Sequence, residues 1–485
     1  MDQIIDLFDL RQTVEWALEI IGDDATLVAA EVCASWCESQ TAQIRYTADR
    51  AADSVQGQKA HTVFGIGILV VVEDQAGRRI GFGSDQDDFS RESIVLALDK
   101  AKANAVPDPY FTTLPPPPPY PALPEQHDAD FATLQEDTML RLGNEALNGA
   151  LSTLRLADYF DPSEVSGEVC SRMEHLMVGH TNGLLAGGTS TALMATVQCN
   201  LLREQSQGVG NCSATHLDGF AAYDAGADAA EQALQTRDGI KLDTGVYPVV
   251  FGPDAVADLL QDLILPALSL DTVAAACSPF AHRLGQQIAS PLLTVTDNGR
   301  LAGMIGSRMV TGEGLPTGAT ILIDGGHLRG FLTDFYHAQK LATQVGLLTP
   351  CNGRRVATNG QSFAMRPGIF PTNVVLSSDK TEDLEQLLAP LTNAIYVDRL
   401  WHTYAPGGLH TGAFTSTVIG SSCHIVDGKL AHTLQPGTLR LDDNFLDLLQ
   451  RITGLSTARQ AVASPCMQSL VLTPHVCCSQ AHFIS

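Results

Sequence analysis

The chain has 485 residues, 45% of them hydrophobic and 17% charged, which suits two globular domains better than one. Its 54 acidic and 29 basic residues leave a formal charge of −25, which disfavours nucleic acid as a partner, since phosphate contacts need clustered Lys and Arg. No stretch reads as a membrane span, the opening MDQIIDLFDLRQ lacks the basic start of a signal peptide, and eleven cysteines without zinc-finger or disulfide-framework spacing fit a reducing cytoplasm.

In the first half, Leu7 to Ile21 spaces Val14, Ala17, Leu18 and Ile21 as one helical face. Residues 43–47 and 62–73 alternate as strands, and the second runs through a turn near Asp74 to Gly77 into the strand RIGFGS. Ser90 is placed to cap a helix that turns Ile94, Ala97, Leu98 and Ala101 inward. Leu114 to Pro124 contains the run Pro115 to Pro119, the composition of a stiff polyproline connector, with a ligand for a proline-recognising module as the sharper alternative. The next helix sets Met139, Leu142, Ala146, Leu147, Ala150, Leu151 and Leu154 on one face. Val165 to Gln198 alternates like two strands about the turn Thr181-Asn182-Gly183. Glu174, His175 and His180 lie in that stretch, but residues five apart on a strand point to opposite faces, so they make no metal site. A short helix, Gly226 to Gln235, closes an N-terminal α/β domain of residues 1–240, with a mainly antiparallel sheet and helices.

Residues 241–485 read as a mostly β domain of twisted antiparallel sheets, and the whole chain as α+β. The domain opens on a strand, Tyr247 to Phe251, then Gly252-Pro253, then a helix pattern of Val256, Leu259, Leu260, Leu263 and Ile264. Pro266 removes a backbone hydrogen bond inside that pattern, so the helix is expected to end or kink near Ile264 or Leu265. Strands follow over residues 292–296, 320–324, 328–333, 372–376, 394–398, 414–418, 424–427 and 469–472, with a helix over 443–452. Asp427-Gly428-Lys429 is a tight hairpin turn. His402 and His410 flank Ala405-Pro-Gly-Gly408, read as a surface loop. No Walker A, Rossmann or GxSxG pattern occurs, and nothing places Cys466 beside His475 as a nucleophile and its base.

Several of these pieces, taken in order, carry a resemblance. They are RIGFGS with PDPY, GVYPVV before the Gly-Pro helix, LGQQIASPLLTVTDNG, Gly312-Glu-Gly314 with Pro316-Thr317, ILIDGGHLRGFLTD, Asn352-Gly-Arg-Arg355 and Pro371-Thr-Asn373. Together they resemble the TldD/PmbA (TldE) family, the microcin-processing metallopeptidase and its inactive homologues. The resemblance implies, in the metal-bearing member, a helix LLHExxxH with two His ligands five residues apart and a Glu acting as general base. The matching positions here hold Gln261, Asp262 and Pro266. A third ligand, a Cys, is matched by Cys466 in Ser464-Pro-Cys466-Met-Gln468-Ser469. A catalytic zinc takes three protein ligands, and proline has no donor atom on its side chain. The resemblance therefore implies zinc only in a homologous partner and no peptidase activity in this chain alone. It implies a non-catalytic subunit dimerised through the C-terminal domain, with a zinc-bearing TldD-like homologue or with itself. The subunit would wall a cleft for unfolded peptide, with Gly312, Gly314, Thr317, Thr372 and Asn373 as cleft candidates. A homo-oligomeric peptide-binding protein without peptidase activity is the alternative, and an enzyme using another site in the same fold is the third.

Overall fold

A computed structural model describes residues 5–47, 54–74, 77–120 and 127–485. Residues 75–76 of the first hairpin turn and residues 121–124 of the proline-rich connector lie outside the described residues.

The first half is a seven-stranded antiparallel sheet: β1 (Leu27–Thr47), β2 (Val55–Asp74), β3 (Gly77–Gln86), β4 (Val106–Pro107), β5 (Ser163–His180), β6 (Leu185–Leu201) and β7 (Ser206–Ala214). Its strand order is β4-β3-β2-β1-β5-β6-β7. One face is covered by α1 (Leu7–Gly22), α2 (Arg91–Ala103), α3 (Glu136–Leu156) and α4 (Ala222–Gln235). Asp6 and Asp9 form a reciprocal capping box that starts α1, and Ser90 Oγ accepts from Ser93 N (3.2 Å) to start α2. On β1 the even residues Ala30, Val32, Ala34 and Trp36 enter the core beneath the helices. The odd residues Glu31, Cys33, Ser35 and Cys37 are just as buried on the other face. A strand buried on both faces has no polar side to betray its period. That is why the alternation marks only residues 43–47, although β1 begins at Leu27.

Helices α3 and α4 cross with their backbones nearly touching. A Cβ on Gly226 would strike the Ala146 carbonyl, and one on Gly149 the Tyr223 carbonyl. Gly226→Ala should therefore cost about 1–3 kcal/mol by overpacking. Urea unfolding measures it, and an unchanged midpoint would show that the helices have room to separate.

The second half is built on a 13-stranded sheet whose spine is the strand Leu470–Ile484. Most pairings are antiparallel, but Asn373–Ser377 runs parallel to that spine, and Asn393–Val397 parallel to β8 (Gly245–Phe251). The spine was expected to stop at Leu472; it runs on because β8, Ile452–Ala463 and Arg440–Asn444 all pair with it. The helix expected over 443–452 is only Phe445–Gln450, since Asp443 and Asn444 finish a strand. His402 sits at a register irregularity inside the strand Arg399–Tyr404, at φ +58°, and not in the loop expected for it.

After β8, α5 (Pro253–Leu259) continues through a π-helical turn, Leu260–Ile264, into a last α-turn, Leu265–Ala267. The helix thus runs past Pro266 to Ala267, while its regular α-form is interrupted just before the proline, where an end or a kink was expected. Proline's ring collides with the carbonyl four residues back in a regular helix. Here the backbone is already widened at that point, where Leu265 N–H reaches Leu260 O, so the ring is accommodated.

The second face of the first sheet packs on loops of the second half. The proline-rich strap runs along this seam: Asn182 Nδ2 donates to Pro115 O (2.7 Å) and Tyr120 OH to Gly314 O (2.7 Å). Small apolar clusters span the seam as well, Leu184 and Ala186 with Val310 and Leu315, and Ala192 with Ile305, Met467 and Leu470.

Candidate functional site

Asp254, Asp258 and Gln261 recur along the α5 segment at steps of four and three, so they share one face. That face lines a cavity of about 460 Å³ between the two halves, shared with Glu168, Asp228, Arg399 and Pro465. Arg399 Nη2 lies 3.0 Å from Asp254 Oδ1, and Asp258 Oδ2 accepts from Leu400 N (3.0 Å). Burial pushes the Asp258 carboxyl up to about 7 and moves Asp254 and Asp228 in the same direction. A cleft with acids so perturbed can hold a cationic group or exchange a proton near neutrality.

Gln261 also borders a second cavity of about 310 Å³, this time with Pro266, Phe370 and Ser469. Asp262, between the two, is exposed and lines neither. Cys466 is half-buried, its Sγ 3.2 Å from Ser464 Oγ, in a loop whose Pro465 and Ser469 reach the same two cavities. The structure thus brings the Gln261–Pro266 segment and the Cys466 loop to common ground. The donors themselves do not suit zinc: an amide, a proline ring and one thiol stand where two imidazoles and a thiolate are needed. Among the described residues no group of three His, Cys, Asp or Glu is placed to hold a metal ion.

The seam between the halves is ionic. Arg355 Nη2 pairs with Glu31, whose other oxygen lies 3.0 Å from His180 Nε2. Arg172 Nη2 lies 3.5 Å from Glu174 Oε1, and Ser362 Oγ donates to the same oxygen. Burial acts to raise Glu174, but Arg172 and Arg308 outweigh it and hold the carboxyl below its usual range. Burial, reinforced by Asp334, instead pushes Glu313 well up while it accepts from Phe335 N (3.1 Å).

Of the five cleft candidates, Gly312, Thr317 and Thr372 line a third, small cavity in this seam, with Arg308, Arg354 and Ser190. Gly314 does not; at φ +75° it packs on Leu184 and Val178. Nor does Asn373, which is wholly buried as a brace: its Nδ2 donates to Asn298 O and Ser307 Oγ (both 2.9 Å), and its Oδ1 accepts from Gly306 N (3.0 Å). Reasoning from sequence missed Glu31, Arg172, Asp258 and Arg308, and weighed Glu174 only as a metal ligand. The one available signal was a lone charge inside an apolar run, as in VAAEVCA or ADLLQDL.

Residues 244–485 match the family model described as the PmbA/TldA metallopeptidase C-terminal domain. A metalloprotease TldD homologue of Haemophilus influenzae is 26% identical over 48% of this chain and 49% of its own length, so the matched part spans about half of that relative. An uncharacterized protein of Methanocaldococcus jannaschii is 25% identical over 79% of this chain and 82% of its own. Among solved structures, TldE from Thermococcus kodakarensis superposes with a TM-score of 0.79 at 19% identity, covering 99% of this chain and all of that one, which is a likeness of fold.

Proposed function

The chain belongs to the PmbA/TldD family of metalloprotease homologues, and from that premise we propose that it is the non-catalytic subunit of a zinc metallopeptidase complex acting on unfolded peptides. One observation carries the reading. At the positions where the resemblance requires metal ligands, the α5 segment presents Gln261 and Pro266 to a cavity that is otherwise kept open. Motif lost and cavity kept is what a wall-building subunit needs, since a wall requires shape and not ligands.

Two further features support a partner. Trp401 and Tyr404, in ring contact with His402, are 65% and 48% exposed on the second half, a surface of the kind enriched at interfaces. The cavities open between sheet and loops with apolar and polar lining together, which suits an extended peptide. Among the described residues no helix is long and apolar enough to cross a membrane.

Purified alone and freed of any tag, the chain should hold far less than one zinc per chain and leave unstructured peptides uncut. Co-expressed with a zinc-bearing homologue, it should copurify through the C-terminal half in a complex that cuts them, with an interface well above roughly 1,000 Å². Elemental analysis, size-exclusion chromatography and a peptide-cleavage assay test this. Stoichiometric zinc that disappears in Cys466→Ala would overturn it, as would a monomer at micromolar concentration that no homologue binds.

A further inference from the structure

Four arginines converge where the halves meet: Arg172 on β5, and Arg308, Arg354 and Arg355 from loops and a short strand of the second half. Two of them are spoken for. Arg355 pairs with Glu31 and donates to the Gly312 and Met365 carbonyls. Arg172 faces Glu174 and donates to Ala357 O (3.0 Å). The other two have no carboxylate within ion-pair distance among the described residues, although the charge of Glu174 acts on both. Arg308 uses Nη1 on Ile305 O (2.7 Å) and Ser307 O (2.8 Å). Arg354 uses Nη1 on Pro371 O (2.8 Å) and Gln468 O (2.6 Å). In both, Nε and Nη2 have no hydrogen-bond partner among the described residues.

Arg308 and Arg354 line one cavity, and Ser190 lines it from β6; Ser190 is 6% exposed, and its hydroxyl has no partner among the described residues. Glu174 reaches the same cavity, with Ser362 and Arg172 both held on its Oε1. Burial and the nearby Arg354 bring Arg308 down to about 9, a measure of how poorly its charge is met by the protein itself. The cavity measures about 40 Å³. The space is on the scale of a small anionic group rather than of a whole side chain. Guanidinium groups presenting free donor edges are also the usual partners of a carboxylate.

We propose that Arg308, Arg354 and Ser190 form a carboxylate site across the seam, and that its occupant is the C-terminal carboxylate of a bound peptide. The source of the carboxylate rests on the peptide-binding reading above; the site itself does not. Gly312, Thr317 and Thr372 line the same cavity, so a peptide ending there lies against the cleft segment.

Calorimetric titration of the whole chain tests both parts, using sodium formate and a pair of unstructured peptides identical except for a free or an amidated C-terminus. Formate should bind the wild-type chain and fail to bind Arg308→Gln. The amidated peptide should bind about tenfold more weakly than the free acid, and that difference should vanish in Arg308→Gln. Ser190→Ala, which disturbs no arginine, should weaken formate severalfold and guards against a folding defect in the arginine variant. Formate that binds neither protein, or binds both equally, overturns the site. Formate binding with no discrimination between the peptides overturns the peptide as occupant. If neither peptide binds in any form, the peptide-binding reading falls while the formate arm still decides the site.

Discussion

Glu31→Ala should destabilise the protein by roughly 3–5 kcal/mol, the usual cost of removing one partner of a buried ion pair. Glu31 is 3% exposed on β1 and joins the two halves through Arg355, while its other oxygen meets His180. The variant leaves a guanidinium in a buried seam with only two carbonyls to receive it. The acid dependence has a definite sign. Burial works to raise the Glu31 carboxyl, but Arg355 and His180 prevail, so its folded value is lowered. The native state therefore gives up this proton more readily than the unfolded chain. The contribution is complete above the ordinary carboxylate range and is lost as pH falls through the folded value. Urea unfolding of both proteins at neutral pH and in acid checks this, with the gap between them closing in acid. A loss below about 1 kcal/mol at neutral pH would mean that the seam relaxes enough to hydrate Arg355.

Asp258→Asn should work in the opposite direction. The carboxyl is raised from 3.8 to about 7, chiefly by burial, so the native state keeps a proton that the unfolded chain releases. Stability then falls as pH rises between those values, and the ionised form is fully penalised above neutrality. Asparagine removes the charge and can still accept from Leu400 N. We expect the variant to be more stable than wild type by about 1–3 kcal/mol above neutral pH, after allowance for water in the adjoining cavity. The advantage should fade to nothing at the acid end of the window. Thermal unfolding across that range reads it, and a constant difference at every pH would show that charge is not the cause.

Both residues show where the sequence is legible and where it is not. The helices α1 to α4 follow from apolar spacing, with Ser90 as the cap of α2 and with α4 starting at Ala222, a turn before the expected Gly226, because a helix on a sheet keeps one wet face. β1 could be read only over its last residues, because its first part is covered on both sides. Glu31 and Glu174 stand out in apolar strands as charges in need of partners, yet the partner of Glu31 lies 324 positions away, beyond any local pattern. Gln261 and Pro266 were picked out and do share a cavity, whereas Gly314 and Asn373 serve packing and bracing. Pro266 marks the disturbance expected near Ile264 as an end or a kink: the helix runs on past the proline, through a widened turn over Leu260–Ile264 that the sequence does not show.

That widened turn has an angular consequence. Along a regular α-helix, residues five apart stand about 140° from each other around the axis, and look in different directions. Between Leu260 and Ile264 each revolution takes in an extra residue, which swings Gln261 and Pro266 towards the same azimuth. Both side chains accordingly border one cavity. A five-residue interval between two ligands is poorly phased for an ordinary helix and well phased for this one. The backbone here keeps a bearing suited to two converging donors, although neither residue on that bearing can donate to a metal as an imidazole would.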